Sequence, residues 1–275
     1  MPAHCHHCYA ESSPKGSDGA MLPTDWCRVI DEVAQLGGLR VQFIGGEPTL
    51  YRGLPDLVHR ALGQGLEVEV FSNLVHVSSE LWETFARPGV RLATSYYSDD
   101  AAEHETITQG RGSHSRTRAN IVEALRRSIP LRVGLVEVQD GQRVEQARTE
   151  LGVLGVTEIG TDHLRQVGRG IRQCRPSIDQ LCGHCARGKV AVSPNGDVWP
   201  CVFARWMPVG NVRQRALAEI LAVRRAGVCR ITAPAAQMTK TTRRLGACVR
   251  STRLHPGCVA AQGLPSLALY CAMRR

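Results

Sequence analysis

Apolar runs of strand length alternate with helical patterns through the first 165 residues, and this alternation restricts the fold more than any other feature of the sequence. Five runs have the length and content of buried strands: 40–46, 67–72, 90–96, 131–138 and 156–162. Helical spacing of apolar residues predicts helices at about 24–36, 54–63, 79–85, 114–127 and 143–154. Strands that alternate with helices form parallel βαβ units, so the sequence predicts an α/β fold with a buried parallel sheet.

Two cysteines lie in a polar, turn-rich segment before the first predicted helix. Cys5 and Cys8 are separated by two residues, and His4, His6 and His7 lie beside them. The residues alone leave three interpretations open: a pair of loop thiols, a zinc site with histidine ligands, or an iron–sulfur loop. The chain has eleven cysteines and no secretory leader pattern, so we expect a reducing, cytoplasmic location in which these thiols are metal ligands or free.

The first predicted strand ends in a glycine pair followed by an acid and a proline, Gly45–Pro48. Paired glycines at the carboxyl end of a parallel strand let the backbone approach a ligand closely. Ligands of open α/β sheets bind at such strand ends, and Glu47 adds a carboxylate acceptor. The alternative is a tight strand-to-loop turn that binds no ligand.

A second set of cysteines surrounds a predicted hairpin. Strands at 189–193 and 197–201 are joined by a turn that contains Asn195-Gly196, which folds Cys201 back toward Cys182 and Cys185. Cys174 is a possible fourth ligand. A zinc knuckle and structural thiols remain the alternatives to an iron–sulfur site. An amphipathic helix at about 215–225 follows, and we predict no elements beyond residue 226.

These motifs together resemble the radical S-adenosylmethionine superfamily, in which a C-x-x-x-C-x-x-C loop precedes a Gly-Gly-Glu strand end. In this chain the spacing places the first cysteine at position 1, which is Met. The second set resembles the first part of SPASM and twitch domains. The resemblance implies a partial (β/α)6 barrel lacking its first strand in residues 1–165 and a small cysteine-rich SPASM/twitch-like extension in 166–225. Beyond the resemblance, we expect residues 226–275 to be a basic tail that is disordered or non-native.

The resemblance also implies cofactors: S-adenosylmethionine, one core 4Fe–4S cluster and at least one auxiliary cluster. Gly168–Gly170 resembles a segment that lies near the adenine. The implied cofactor-binding residues are Gly45, Gly46, Glu47, Pro48, Asn73, Ser95 and Arg132. The implied metal ligands are Cys5 and Cys8 in the core, and Cys182, Cys185, Cys201 and Cys174 in the extension.

The implied activity is that of a radical enzyme. Its cluster donates one electron to the sulfonium, which releases methionine and a 5′-deoxyadenosyl radical that abstracts a substrate hydrogen. We expect a ribosomally made peptide as substrate and a ferredoxin or flavodoxin as reductant. Three alternatives remain: a sugar or alcohol dehydrogenase, a truncated inactive relative, and a zinc-binding nucleic-acid module.

The positive charge of the chain is confined to its end. Residues 220–275 contain ten Arg and Lys and no acid, whereas the preceding part carries 24 basic and 25 acidic side chains. A neutral body with 5% aromatic residues disfavours a nucleic-acid partner, and no apolar run has the length of a membrane span. We hypothesise that the tail derives from a shifted reading frame; the competing account is a basic arm that grips an acidic partner.

Overall fold

A computed structural model describes residues 5–13, 16–172, 176–227 and 268–272. Its strands form one sheet in the order β5-β4-β3-β2-β1-β9-β6-β7-β8. The strands are β1 Arg40–Ile44, β2 Glu67–Phe71, β3 Val90–Tyr96, β4 Leu131–Glu137, β5 Glu158–His163, β6 Lys189–Val192, β7 Asp197–Trp199, β8 Gly210–Asn211 and β9 Ala268–Ala272. The five strands predicted in the first 165 residues are confirmed as β1–β5, and each pairs in parallel with its neighbour.

Helices connect the parallel strands as predicted, with one addition. The helices are α1 Pro23–Gln35, α2 Leu54–Gly63, α3 Ser79–Phe85, α4 Ala101–Thr108, α5 Ser113–Arg126, α6 Val144–Val153 and α7 Leu217–Gly227. The sequence pattern missed α4, because its buried residues include polar ones, His104 and Thr108, rather than an apolar stripe. Its start is fixed by Asp100, whose carboxylate accepts a 2.8 Å hydrogen bond from the Glu103 N–H.

The two faces of the parallel sheet differ in chemistry. The outer face packs apolar side chains such as Val41, Phe43 and Val68 against the helices and forms the main core. The inner face, which we expected to be apolar, carries charge: the Arg132 guanidinium donates two 2.8 Å hydrogen bonds to the buried Glu69 carboxylate. These hydrogen bonds offset the effect of burial and hold the pKa of Glu69 below its ordinary value. The buried Glu69 carboxylate on β2 is therefore stabilised by the Arg132 guanidinium on β4, which lies on the same face of the sheet.

The chain's end enters the sheet as β9. Ala268–Ala272 pairs in parallel with β1 on one side and with β6 on the other. Leu269 and Cys271 are fully buried in the main core. The prediction of a loose tail is therefore wrong for these five residues, and the edge beside β1 is filled. Residues 228–267 and 273–275 lie outside the described part of the chain.

The cysteine-rich extension continues the same sheet. β6 and β7 form the predicted antiparallel hairpin, and Gly196 takes the positive φ of +90° that its turn requires. A short strand that the sequence did not indicate, β8, pairs with β7. Because β9 pairs with both β1 and β6, the extension and the barrel strands share one hydrogen-bonded sheet. No described helix is both long and apolar enough to cross a bilayer.

Candidate functional site

The cysteine loop, residues 5–8, contacts the carboxyl end of β3 and the end of α4. The His6 N–H lies 3.4 Å from the Ile107 carbonyl oxygen, and the Cys8 N–H donates to the Cys5 carbonyl at 3.3 Å. His7 Nε2 is 3.0 Å from the hydroxyl of Tyr97, the residue that follows β3. The loop is thus fixed on the sheet by its backbone and by one ring. Sequence analysis did not single out Tyr97 as part of this site.

Burial dominates the electrostatics of the loop. It raises the pKa of the Cys5 thiol to about 12, and the neighbouring Cys8 adds to this effect. Arg169 and the Tyr97 hydroxyl act in the opposite direction. Burial also lowers the pKa of His7 to about 4, with Arg172 as the next contributor. Metal ligation requires the thiolate. A metal ion that binds Cys5 must therefore displace the thiol proton, although burial disfavours the loss of that proton.

The glycine pair after β1 adopts the conformation that its sequence predicts. Gly45 and Gly46 have φ values of +85° and +55°, which side-chain-bearing residues rarely adopt. The Gly46 N–H donates a 3.0 Å hydrogen bond to the Ser12 hydroxyl. This bond joins the segment after the cysteine loop to the end of β1. Pro48 starts a 3-10 turn, Pro48–Leu50.

Glu47 is buried and holds two strand ends together. Its Oε1 accepts hydrogen bonds from the Thr49 N–H at 3.1 Å, the Thr49 hydroxyl at 2.9 Å and the Ser72 hydroxyl at 2.7 Å. Its Oε2 accepts from the Asn73 N–H at 2.8 Å. Burial nevertheless raises the pKa of this carboxyl. The structure gives Glu47 and Asn73 a common structural role, and their direct contact with a cofactor stays a prediction.

Ser95 lies beside open space on the inner face of the sheet. It pairs with Gly134 of β4, which pairs with Gly160 of β5. A Cβ atom added to Gly160 would meet nothing within 4 Å. The two glycines therefore leave room above the layer formed by Arg132 and Glu69. Arg132 also lies 5.4 Å from the Phe71 ring centroid, and its predicted contact with a cofactor carboxylate is untested.

The loop after β3 carries two acids with structural contacts. Asp99 accepts 2.8 Å and 2.7 Å hydrogen bonds from the Arg143 guanidinium. Asp100 caps α4 through its carboxylate. These contacts give both acids a role in fixing the loop rather than in proton transfer.

A cavity of about 360 Å³ lies beside the cysteine loop. His6 and His7 border one side, the end of α4 another, and the residues after β4 and β5 complete it. Its lining residues are His6, His7, Thr106, Ile107, Val138, Gln139 and Arg172. Space for a small molecule is thus available next to the predicted ligands of the core cluster.

The extension brings two of its cysteines into contact. Cys185 Sγ and Cys201 Sγ lie 3.4 Å apart, with Cys201 buried and Cys182 exposed. Their shared hydrogen bond raises the pKa of Cys185 and lowers the pKa of Cys201. Cys174 lies outside the described residues, so its predicted ligation is untested. Within the described part of the chain, no set of three or more His, Cys, Asp or Glu side chains is arranged to hold a metal ion.

Comparison with known protein families favours the iron–sulfur interpretation of the cysteine sets over the alternatives left open above. The model of the radical SAM superfamily matches residues 2–146, more than half of the chain. The chain belongs to the radical S-adenosylmethionine superfamily. The model of SPASM, an iron–sulfur cluster-binding domain, matches residues 182–248. This match extends past residue 226 into the segment predicted to be a non-native tail.

Curated relatives agree with the assignment to this superfamily of enzymes, and solved structures share the fold. The PqqA peptide cyclase of Xanthomonas campestris pv. campestris (strain 8004) is 24% identical over 262 residues, covering 80% of this chain and 70% of the cyclase. Streptococcus suis SuiB bound to precursor peptide SuiA has a TM-score of 0.66 at 14% identity, over 80% of this chain and 61% of SuiB. Native anSMEcpe with bound AdoMet has a TM-score of 0.61 at 12% identity, over 80% and 77%. The predicted α/β partial-barrel fold is thereby confirmed.

The described cysteines fit iron–sulfur chemistry in kind, and the core set is partial. A radical SAM cluster with one open iron takes three thiolates, and the described loop supplies Cys5 and Cys8. In the extension, the Cys185 and Cys201 thiols lie in contact, with Cys182 three residues before Cys185, and their ligation of an auxiliary cluster stays a prediction.

Proposed function

We propose that this radical SAM chain modifies a ribosomally made peptide. The main supporting observation is that the chain is similar to PqqA peptide cyclases over 80% of its length, which includes part of both matched domains. The structural similarity to SuiB supports the fold in which this chemistry takes place. When bound, the 4Fe–4S cluster and S-adenosylmethionine supply the radical that removes a hydrogen atom from the substrate.

The chain's own residues position these groups. Cys5 and Cys8 hold the core cluster at the carboxyl ends of the parallel strands. The positive-φ glycines 45 and 46 let the backbone at the end of β1 approach the methionine part of the cofactor. Glu47 keeps that strand end in place through four protein hydrogen bonds. The open inner face at Gly134 and Gly160 accommodates the rest of the ligand.

The remaining alternatives have less support. The SPASM match describes an iron–sulfur domain, which favours a cluster over a structural zinc site in a nucleic-acid module. No observation on this chain favours a sugar or an alcohol over a peptide. We further propose a low-potential ferredoxin or flavodoxin as the electron donor and the cytoplasm as the location.

The proposal is tested by product formation under anaerobic conditions. Reconstituted, dithionite-reduced protein is incubated with S-adenosylmethionine, and 5′-deoxyadenosine is quantified by mass spectrometry; a Cys5→Ser/Cys8→Ser variant is the blank. Small peptides encoded beside the chain's gene are then added one at a time. We expect one of them to raise 5′-deoxyadenosine and to lose two hydrogens in mass. Turnover with sugars or alcohols, and with none of these peptides, would contradict the proposal.

The partial core ligand set adds a second arm to this experiment. A Met1→Cys variant, placed behind a new initiator methionine, is compared with the chain as it stands. We expect 5′-deoxyadenosine formation to rise by about tenfold or more, because a third thiolate completes the set that holds the cluster. Equal and high turnover by both proteins would show that another group completes it.

A further inference from the structure

The segment after β5 binds the backbone of the cysteine loop. The Arg169 guanidinium donates from Nε to the Cys5 carbonyl oxygen at 3.0 Å. The Arg169 backbone N–H donates to the Cys8 carbonyl oxygen at 3.1 Å. One residue therefore joins the backbones of both predicted core ligands, across 164 positions of sequence for the first bond. A pair of bonds from one residue fixes the two carbonyls relative to each other.

The approach of the two segments is close enough to require glycine. Gly168 has a φ of +58°, and a Cβ atom there would lie 2.5 Å from the Tyr9 carbonyl oxygen and 2.6 Å from that of Cys8. Contacts of that length do not occur between real Cβ atoms and backbone oxygens. The Gly-Arg pair is thus complementary in shape to the loop as well as in hydrogen bonding.

Arg169 also places a positive charge beside the loop. Arg172, three residues further on, borders the cavity, and its backbone N–H binds the Gln166 side chain. Among the described residues, Arg172 donates no hydrogen bond to the carbonyl of Cys5 or Cys8, so it has the same charge in the same segment without those contacts.

We propose that Arg169 is a positioning residue for the core cluster: it holds the cysteine loop in its ligating conformation before metal arrives, and its charge stabilises the anionic cluster once bound. This role differs from the one that the sequence pattern implied, a segment near the adenine. The inference rests on the proposed function for the cluster part alone. The positioning part concerns the loop of the metal-free chain and stands independently.

Hydrogen–deuterium exchange of the metal-free protein tests the positioning role. The Cys8 and Glu11 amides, which donate to the carbonyls of Cys5 and Cys8, report on the loop. We expect Arg169→Gln to accelerate their exchange by about tenfold or more. A charged guanidinium makes a stronger hydrogen bond to the Cys5 carbonyl oxygen than a neutral amide does. Arg172→Gln should leave it unchanged, and both variants should keep the wild-type urea midpoint. Gly168→Ala should reproduce the Arg169→Gln effect by steric displacement. Unchanged exchange in Arg169→Gln overturns the proposal.

The midpoint potential of the core cluster separates charge from position. It is measured in a background in which Cys185 and Cys201 are serine, so that only the core contributes. Arg169→Gln should shift the potential to a more negative value, whereas Arg169→Lys, which keeps the charge, should stay near wild type. Equal potentials in all three proteins overturn the electrostatic part. If Arg169→Gln accelerates exchange but the wild-type protein never cleaves S-adenosylmethionine, the proposed function is refuted and the positioning role of Arg169 stands.

Discussion

The side chains of this site act chiefly by holding backbone in place. Glu47 illustrates this, because its carboxylate accepts four hydrogen bonds from the ends of two strands and is itself buried. Each hydrogen bond to a buried charged group contributes about 1.5–3 kcal/mol. A residue that a motif marks as a ligand contact is here one that ties β1 to β2. The same logic applies to Arg169 and the cysteine loop.

His104 gives a pH dependence at the residue scale. It is 1% exposed, and its ring lies 5.1 Å, 5.4 Å and 5.3 Å from the rings of Tyr96, Tyr97 and His114. Burial, followed by the nearby His114, lowers its pKa to about 4 from 6.5. The unfolded chain therefore binds a proton at His104 below pH 6.5, whereas the folded chain binds that proton only at about pH 4 and below.

We predict that this residue makes the protein less stable in mild acid. Its contribution is complete above pH 6.5 and falls by roughly 3 kcal/mol as the pH drops to 4. Urea unfolding at several pH values should show this loss in the wild type and a shallower one in His104→Gln. The exposed His59→Gln serves as the matched control and should behave as wild type. Parallel pH curves for all three proteins would contradict the prediction.

Among the elements, β9 has the largest consequence for the fold. It lies between β1 and β6 and buries Leu269 and Cys271 in the core. Burial also raises the pKa of the Cys271 thiol. A strand hydrogen-bonded on both sides has no free edge, so it closes the gap between barrel and extension.

Replacement of one core side chain measures how much β9 stabilises the fold. We expect Leu269→Ala to lower the free energy of unfolding by about 2–5 kcal/mol, because it leaves a cavity in a packed core. Val153→Ala, at a side chain that is 84% exposed, should change it little. Urea titrations of the two variants make the comparison. Equal midpoints would show that β9 adds nothing to stability and would restore the loose-tail hypothesis.

At the scale of the whole molecule, one sheet joins two predicted cluster sites. The core loop is fixed beside β3 and β5, and the auxiliary cysteines flank the β6–β7 hairpin. Arg165 extends this link, since its guanidinium donates to the Gln180 carbonyl oxygen, close to Cys182 in sequence. Domain boundaries drawn from sequence alone therefore divide a continuous structure.

Metal content tests this arrangement. Anaerobic reconstitution should load iron and acid-labile sulfide, and Cys185→Ser or Cys201→Ser should each remove the auxiliary share while the core share stays. Cys182→Ser should act in the same way, and Cys27→Ser, in α1, should lose none. Iron and sulfide assays with electron paramagnetic resonance provide the measurement. Purified protein with stoichiometric zinc and no uptake of iron would contradict the iron–sulfur assignment.

Local patterns determined much of this structure. The alternation of apolar runs fixed β1–β5 to within one or two residues, because burial of parallel strands demands continuous apolar sequence. The hairpin turn and the glycine pair were predictable as well, since φ values of +90° at Gly196 and +85° at Gly45 favour glycine. Cysteine spacing indicated the family, which the family model confirms.

Only the tertiary structure decided the contacts between distant segments. β9 has no periodicity of its own and is a strand because β1 and β6 offer unpaired backbone on either side of it. Glu47 and Arg132 bind protein partners, because the strands beside them present donors and acceptors at the matching register. Arg169 lies 164 positions from Cys5 along the chain, and the fold alone brings its guanidinium within 3.0 Å of that carbonyl. Hydrogen bonds between residues so far apart in the sequence depend on how the segments pack, and this packing cannot be inferred from the spacing of residues along the chain.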